Sequence, residues 1–205
     1  TLNVQAPEGK AIFLKLAGDA DVIIENMRPG VVDRLGIGYE AARAVNPRII
    51  YCSISGFGQD GPYRERPGYD TIGQAMGGLL SVLTDLNNPS GVGISIADHV
   101  TGVFACYGIL AALLARERTG RGQKVETSLL QASIAFGSEN AARYLATRQT
   151  PRKENRLRLA QVYAFVAGDG LPFVIHLSSP QKFWHGLAEA VGHPDWKEDP
   201  RFVNK

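Results

Sequence analysis

The sequence predicts an α/β protein built on parallel βαβ units, with flanking helices and a second unit near the C-terminal end. Three observations point there. Short β-branched runs alternate with helical stretches, as in VIIE, YEAARAV and RIIYCSIS, which is the arrangement that parallel sheets require. The composition shifts at about residue 150, where cationic TPRKENRLR precedes two β-like runs separated by Gly168-Asp169-Gly170, a hairpin signal. Finally, 205 residues with 44% hydrophobic content are enough to bury a sizeable core.

The elements follow in order. Pro7 opens a helix that ends near Gly18, since proline fits the first helical position. VIIE (22–25) reads as a strand, and Pro29-Gly30 turns it into a short helix near Val31 to Leu35. A helix over 39–45 and a strand over 48–55 come next. GFGQDGPYRERPGYD (56–70) is too rich in Gly and Pro for a regular element, and a connection that long is often functional. Helical periodicity resumes over 70–83. After a polar turn, GISIA reads as a short β-like run ending at Asp98.

Val100 to Arg118 is predicted to be a strong helix, with Val100, Val103, Phe104, Tyr107, Leu110 and Leu114 spaced for one buried face. RTGRGQ ends it, and the basic residues of RERTGRGQK read as a polar helix exit. KVETSL is then a strand, and LLQASIAFGSENAARYLAT a single helix. SPQKFWHGLAEAVG is amphipathic, with Phe183 and Trp184 on its packing side. The domain expectation is 1–149, a linker at 150–160, and the start of a second domain at 161–205.

Charge and cysteine content narrow the function classes. The formal net charge is +2 with no long run of either sign, so nothing demands a nucleic acid or an anionic membrane as partner, while a small anionic ligand stays compatible. Cys52 and Cys106 lie in apolar segments and are expected to be reduced, buried thiols. No Cys/His cluster has metal-ligand spacing, His176, His185 and His193 included. The apolar stretch Val100 to Ala115 is short and interrupted by glycine for a membrane span. The expectation is a cytoplasmic protein, opening in mid-element and therefore a piece of a longer chain.

Three places carry candidate chemistry. Gly56, Gly58 and Gly61 formally satisfy GxGxxG, but Pro62, Pro67 and Gly68 oppose the helix that a dinucleotide fingerprint needs at those glycines. ENMRPG (25–30) lies just beyond a strand end, where open α/β sheets bind ligands. Arg28 and Arg34 could grip phosphate oxygens there and Asn26 a polar edge, or the cations could simply be solvated. Asp98 falls where a helix N-cap belongs, before a helix beginning at His99. Helix-end amides would also keep its carboxylate ionised, the form a nucleophile requires. The two roles are compatible. His99 is either a general base or a partner of local polar groups.

Taken together, ADVIIENMRPGVVDRLGIGYEAARAVNPRIIYCSISGFGQDGPYRERPGYDTIGQAMGGL (20–79) and GISIADHVTGVFACYGILAALLARERTGRGQKVETSLL (93–130) resemble the class III CoA-transferase family. That family includes formyl-CoA and carnitine CoA-transferases and the related α-methylacyl-CoA racemases. The resemblance implies a Rossmann-like, open, mostly parallel sheet with flanking helices, and the beginning of a smaller α+β domain. It implies that Asp98 attacks an acyl-CoA thioester to give an aspartyl mixed anhydride, then an aspartyl-CoA thioester that an incoming carboxylic acid resolves.

Coenzyme A is then a substrate, and no ATP, metal or tightly bound cofactor is called for. The CoA site falls on Leu2, Gln5, Asn26, Met27, Arg28 and Arg34, and on Arg66, Pro67, Gly68 and Tyr69. Gln5 stands where relatives carry a basic residue. An interlocked homodimer is implied, as are chains about twice as long as this one. The glycine-rich loop of formyl-CoA transferases is replaced here by KENRLRLAQVYAF, so formyl or oxalate specificity finds no support.

Two alternatives stay open. A racemase on the same scaffold would need a histidine where Tyr69 stands, and a phenol, with a pKa of about 10 in water, is a poor base at neutral pH. A CoA-binding scaffold without turnover is the other.

Overall fold

The computed structural model describes residues 1–178 and 181–202. The chain divides into two compact units, Thr1–Thr150 and Pro151–Lys205.

The first unit is a parallel sheet flanked by helices. Helix α1 (Pro7–Asp19) leads into β1 (Val22–Glu25), then α2 (Val31–Leu35), α3 (Tyr39–Val45) and β2 (Ile50–Ser55). After the long loop come α4 (Asp70–Met76), α5 (Leu80–Leu83), α6 (Ile96–Thr119), β3 (Lys124–Ser128), α7 (Leu129–Phe136) and α8 (Ser138–Thr147). β2 lies between β1 and β3, parallel to both, with Ile24 opposite Cys52 and Cys52 opposite Val125. A strand flanked on both sides reads as a continuous apolar run, and Ile50, Tyr51 and Cys52 are all fully buried.

Ala17, Ala42, Ile49 and Tyr51 form a core between α1, α3 and β2. Its polar groups are satisfied: the Tyr51 hydroxyl donates to the Ile37 carbonyl at 3.0 Å, and the Asn46 amide donates to Ala17 and Ala20 at the end of α1. Burial, with the nearby Glu25 and Asp33 charges, pushes the Tyr51 hydroxyl well above its usual range.

α6 corrects the expected packing. Its buried residues are Ala97, Thr101, Ala105, Ala112 and Arg116, whereas Val103, Phe104, Tyr107, Leu110 and Leu114 are exposed. Periodicity marks where large apolar residues gather, but close approach to a sheet needs small ones. A Cβ at Gly108 would stand only 2.6 Å from Val125 Cγ1, so the helix lies against β3 through its smallest face. By length and composition α6 is apolar enough to cross a membrane; in this fold it packs on β2, β3 and α7.

Other corrections have similarly local causes. Cys106 is exposed, on the face of α6 left uncovered, while Cys52 is buried; burial and then Glu25 raise the Cys52 thiol pKa. Arg116 is a buried anchor rather than part of a polar exit. Its guanidinium pairs with Asp21 at 2.8 Å and donates to the Arg48 carbonyl at 3.1 Å. The helix expected over 70–83 breaks at Gly77-Gly78, Gly78 having φ +82°, and that expected over 129–147 breaks at Gly137. GISIA is no strand: α6 begins at Ile96, inside it.

In the second unit, α9 (Lys153–Ala160) precedes the antiparallel pair β4 (Val162–Val166) and β5 (Pro172–His176), followed by α10 (Gln181–Ala190) and the 3-10 turn Pro194–Lys197. The stretch expected as a linker at 150–160 is therefore largely helical, its Lys, Glu, Arg and Leu residues being good helix formers. Trp184 is buried on α10, stacked 6.2 Å from Trp196 and tilted 4.9 Å from Phe202, while Phe183 is exposed.

Candidate active site

Topology collects the site at one edge of the sheet. All three strands run the same way, so the loops after β1 and β2 and the start of α7 emerge together at the carboxyl edge. α1 and α6 run back toward the start of a strand, so their N-terminal ends lie at that edge too. This places Leu2 and Gln5 (before α1), Asn26 to Arg28 (after β1), Arg66 to Tyr69 (after β2) and Asp98 (first turn of α6) on a common rim, where open α/β sheets take ligands.

The loop after β2 is held by two glycines. A Cβ on Gly56 would stand 2.6 Å from the Cα of Gly68, and one on Gly68 2.5 Å from the Cα of Gly56. The intervening residues form a pinched excursion whose two ends touch, and Tyr69 and Asp70 follow directly. Ser55 Oγ accepts from Gly58 N–H at 3.0 Å, and Leu130 N–H donates to the Gly56 carbonyl at 3.1 Å. Within the loop, the Arg66 guanidinium lies 4.3 Å from the centre of the Tyr63 ring. The GxGxxG string thus opens no helix and builds a loop.

Asp98 is exposed. It is not the N-cap: Ser95 is, and makes no side-chain cap bond. Asp98 is the third helical residue, and its backbone N–H, one of the orphan donors of a helix start, donates to Asp70 Oδ1 at 3.2 Å. Asp70 comes from α4, which approaches closely because Gly73 faces Ala97 and Leu129; a Cβ there would stand 3.1 and 2.9 Å from theirs. The carboxyl of Asp98 is raised above the usual carboxylate range, first by loss of solvent around it and next by the Asp70 charge, with His99 acting in the opposite sense. A more basic carboxylate is a stronger nucleophile once ionised.

His99 Nδ1 lies 2.6 Å from the Ser95 carbonyl. Only a protonated Nδ1 bonds to a carbonyl, so Nε2 carries the lone pair in the neutral ring.

The rim cations are exposed at Arg28 and Arg34. Gly30 begins α2 with φ +79°, and a Cβ there would stand 3.2 Å from Arg34 Nη1, so Arg34 folds back over the ENMRPG turn. Met27 N–H donates to the Glu25 carboxylate at 2.8 Å. Asn26, Met27, Leu2 and Gln5 are exposed. Sequence reading missed two residues. Lys10 lays its ammonium against Gly36, beside the end of α2. Asp70 had only its place after Tyr69 to mark it, and no spacing rule links it to Asp98, 28 positions away. Among the described residues no group of three or more His, Cys, Asp or Glu could hold a metal ion.

Comparison with known proteins gives the family and the fold. The profile of CoA-transferase family III matches residues 1–205. The chain belongs to that family. It is 40% identical over 205 residues to the acetyl-CoA:oxalate CoA-transferase of Acetobacter aceti, covering 98% of this chain and 52% of that protein. It is 46% identical over 223 residues to a formyl-CoA:oxalate CoA-transferase of Streptomyces avermitilis, covering 99% and 54%. Among solved structures, a CAIB/BAIF family protein from Brucella suis superposes with a TM-score of 0.84 at 33% identity, covering 98% of this chain and 54% of that one. The chain thus spans about half the length of the curated relatives it matches. The Rossmann-like α/β class expected from the family III resemblance is the class observed.

Proposed function

We propose that the protein moves CoA from an acyl-CoA thioester to a carboxylic acid, with Asp98 as nucleophile. An Asp98 oxygen attacks the thioester carbonyl, the C–S bond breaks, and CoA leaves as thiolate, giving a mixed anhydride. The thiolate then attacks the aspartyl carbonyl and expels the donor carboxylate, leaving an aspartyl-CoA thioester. The acceptor carboxylate attacks that thioester, forming a second anhydride and releasing thiolate. Thiolate attack on the acceptor's acyl carbon finally gives the new acyl-CoA and frees Asp98. Each step exchanges one activated acyl group for another, so protons and electrons balance without a co-reactant. Asn26, Met27, Arg28, Arg34, Lys10 and the 66–69 segment would hold the nucleotide end, the guanidinium groups gripping phosphate oxygens.

The observation that carries this reading is Asp98 itself: solvent-accessible, raised in basicity, and at the carboxyl edge of the parallel sheet, where open α/β sheets take ligands. Relatives named for oxalate, D-citramalate and glutarate favour a small dicarboxylic acid as acceptor. A homodimer fits the exposed apolar stripe of α6, from Val103 to Leu114. The racemase alternative is disfavoured, with Tyr69 where its histidine would stand. The test is mass spectrometry after incubation with acyl-CoA, scoring a CoA adduct on the peptide containing Asp98. Absence of an adduct in protein that turns over would overturn the mechanism.

A further inference from the structure

Gln74, on α4, is 1% exposed. Its amide nitrogen donates to Asp70 Oδ2 at 2.5 Å and to the Ile94 carbonyl at 3.2 Å. Those two acceptors fix which end of the amide is nitrogen, because turning it over would set its oxygen against a carboxylate and a carbonyl. Its own Oε1 is buried and has no hydrogen-bond partner among the described residues. A buried amide oxygen without a partner is costly, and a Met or Leu of similar volume would fill the space without that cost. Packing therefore does not explain a glutamine here.

What it holds is informative. Asp70 receives Gln74 on one oxygen and the Asp98 backbone N–H on the other. Ile94 lies immediately before Ser95, from which α6 starts. One amide thus grips both the carboxylate that caps the first turn of α6 and the chain leading into it. Ser95 offers no side-chain cap, so the cap comes from a neighbouring helix through Asp70. α4 packs against α5, α6 and α7; α5 and α7 carry no titratable side chain, and the near end of α6 brings only Asp98 and His99.

We propose that Gln74 is a positioning residue for Asp98, setting the first turn of α6 through Asp70 and the Ile94 carbonyl. The inference rests on the nucleophile reading for its catalytic consequence but not for its structural one. Two variants test it in the full-length protein. Gln74→Met keeps volume and removes both donors. Asp70→Glu combined with Gln74→Asn shifts one methylene across the pair and keeps the bond.

In Gln74→Met, hydrogen exchange at the Asp98 amide accelerates by about tenfold or more, the loss of a bond to a charged group. The amides of Ala105 and Ala112, deep in α6, keep their protection, and kcat for CoA transfer falls about tenfold while KM for the acyl-CoA moves much less. The double variant restores both Asp98 protection and kcat. Unchanged protection of Asp98 in a folded Gln74→Met protein overturns the proposal whatever turnover does. Should that variant fail to fold, an unprotected Asp98 amide in the double variant overturns it. Changed protection with unaltered kcat would overturn the catalytic consequence of this positioning, while the adduct on Asp98 tests the nucleophile reading separately.

Discussion

Substituting Gly56 by alanine is the sharpest check on how the site is built. The added Cβ would stand 2.6 Å from Gly68 Cα and 2.9 Å from its nitrogen. Non-bonded carbon atoms settle at roughly 3.5–4.0 Å, so the two chain segments must part by about 1 Å. Both are backbone, and no rotamer change relieves the contact. Overpacking of this kind costs roughly 1–3 kcal/mol. For a chain of this size, with a urea m-value of about 2–3 kcal/mol/M, the unfolding midpoint falls by about 0.3 to 1.5 M with m unchanged.

Gly68→Ala strikes the same contact from the other side. The double variant therefore costs less than the sum of the singles, because the first substitution has already opened the pinch. Parting the loop displaces Tyr69 and Asp70, so the amide exchange of Asp98 rises with it. Urea unfolding of the three variants and the wild type measures the stabilities, and hydrogen exchange reads the Asp98 amide. A wild-type midpoint in both single variants, or strict additivity in the double, would refute a close backbone contact at these glycines.

The remaining predictions concern the site and its anchor. Asp98→Asn abolishes CoA transfer, with loss of at least about a thousandfold in kcat, in protein whose circular dichroism is unchanged. Because the folded carboxyl is raised, the native state binds its proton more tightly than the unfolded chain does. Asp98 therefore subtracts stability as pH rises past its unfolded pKa, in full above the folded one, so Asp98→Asn is at least as stable as wild type at neutral pH; thermal melts across pH check the sign. The acid limb of kcat/KM lies above the ordinary carboxylate range, and Asp70→Asn moves it down only partly, since desolvation is the larger cause,. Arg28→Ala weakens CoA binding by about tenfold, read by calorimetry, with stability changed by less than about 0.5 kcal/mol because the side chain is exposed,. Arg116→Ala costs about 1–3 kcal/mol in urea unfolding, chiefly through the Arg48 carbonyl left unpaired, since Asp21 is largely solvated,.

The sequence by itself determined the strands, most of the helices and the family. VIIE, the helix over 39–45 and the short helix at Val31–Leu35 are where local pattern places them, because β-branched runs, Pro-Gly turns and 3.6-residue spacing are properties of neighbouring residues. The motif strings around Asn26 to Arg28 and Asp98 carried the family assignment for the same reason. Tertiary structure decided the rest. Only packing shows that α6 turns its small residues inward and leaves its large apolar ones exposed, since how closely a helix meets a sheet depends on the partner surface. Only packing makes a buried anchor of Arg116, joins Gly56 to Gly68, and brings Asp70 and Gln74 to the first turn that carries Asp98. Contacts between residues far apart in the chain follow no spacing rule, and the environment of Asp98 is made of such contacts.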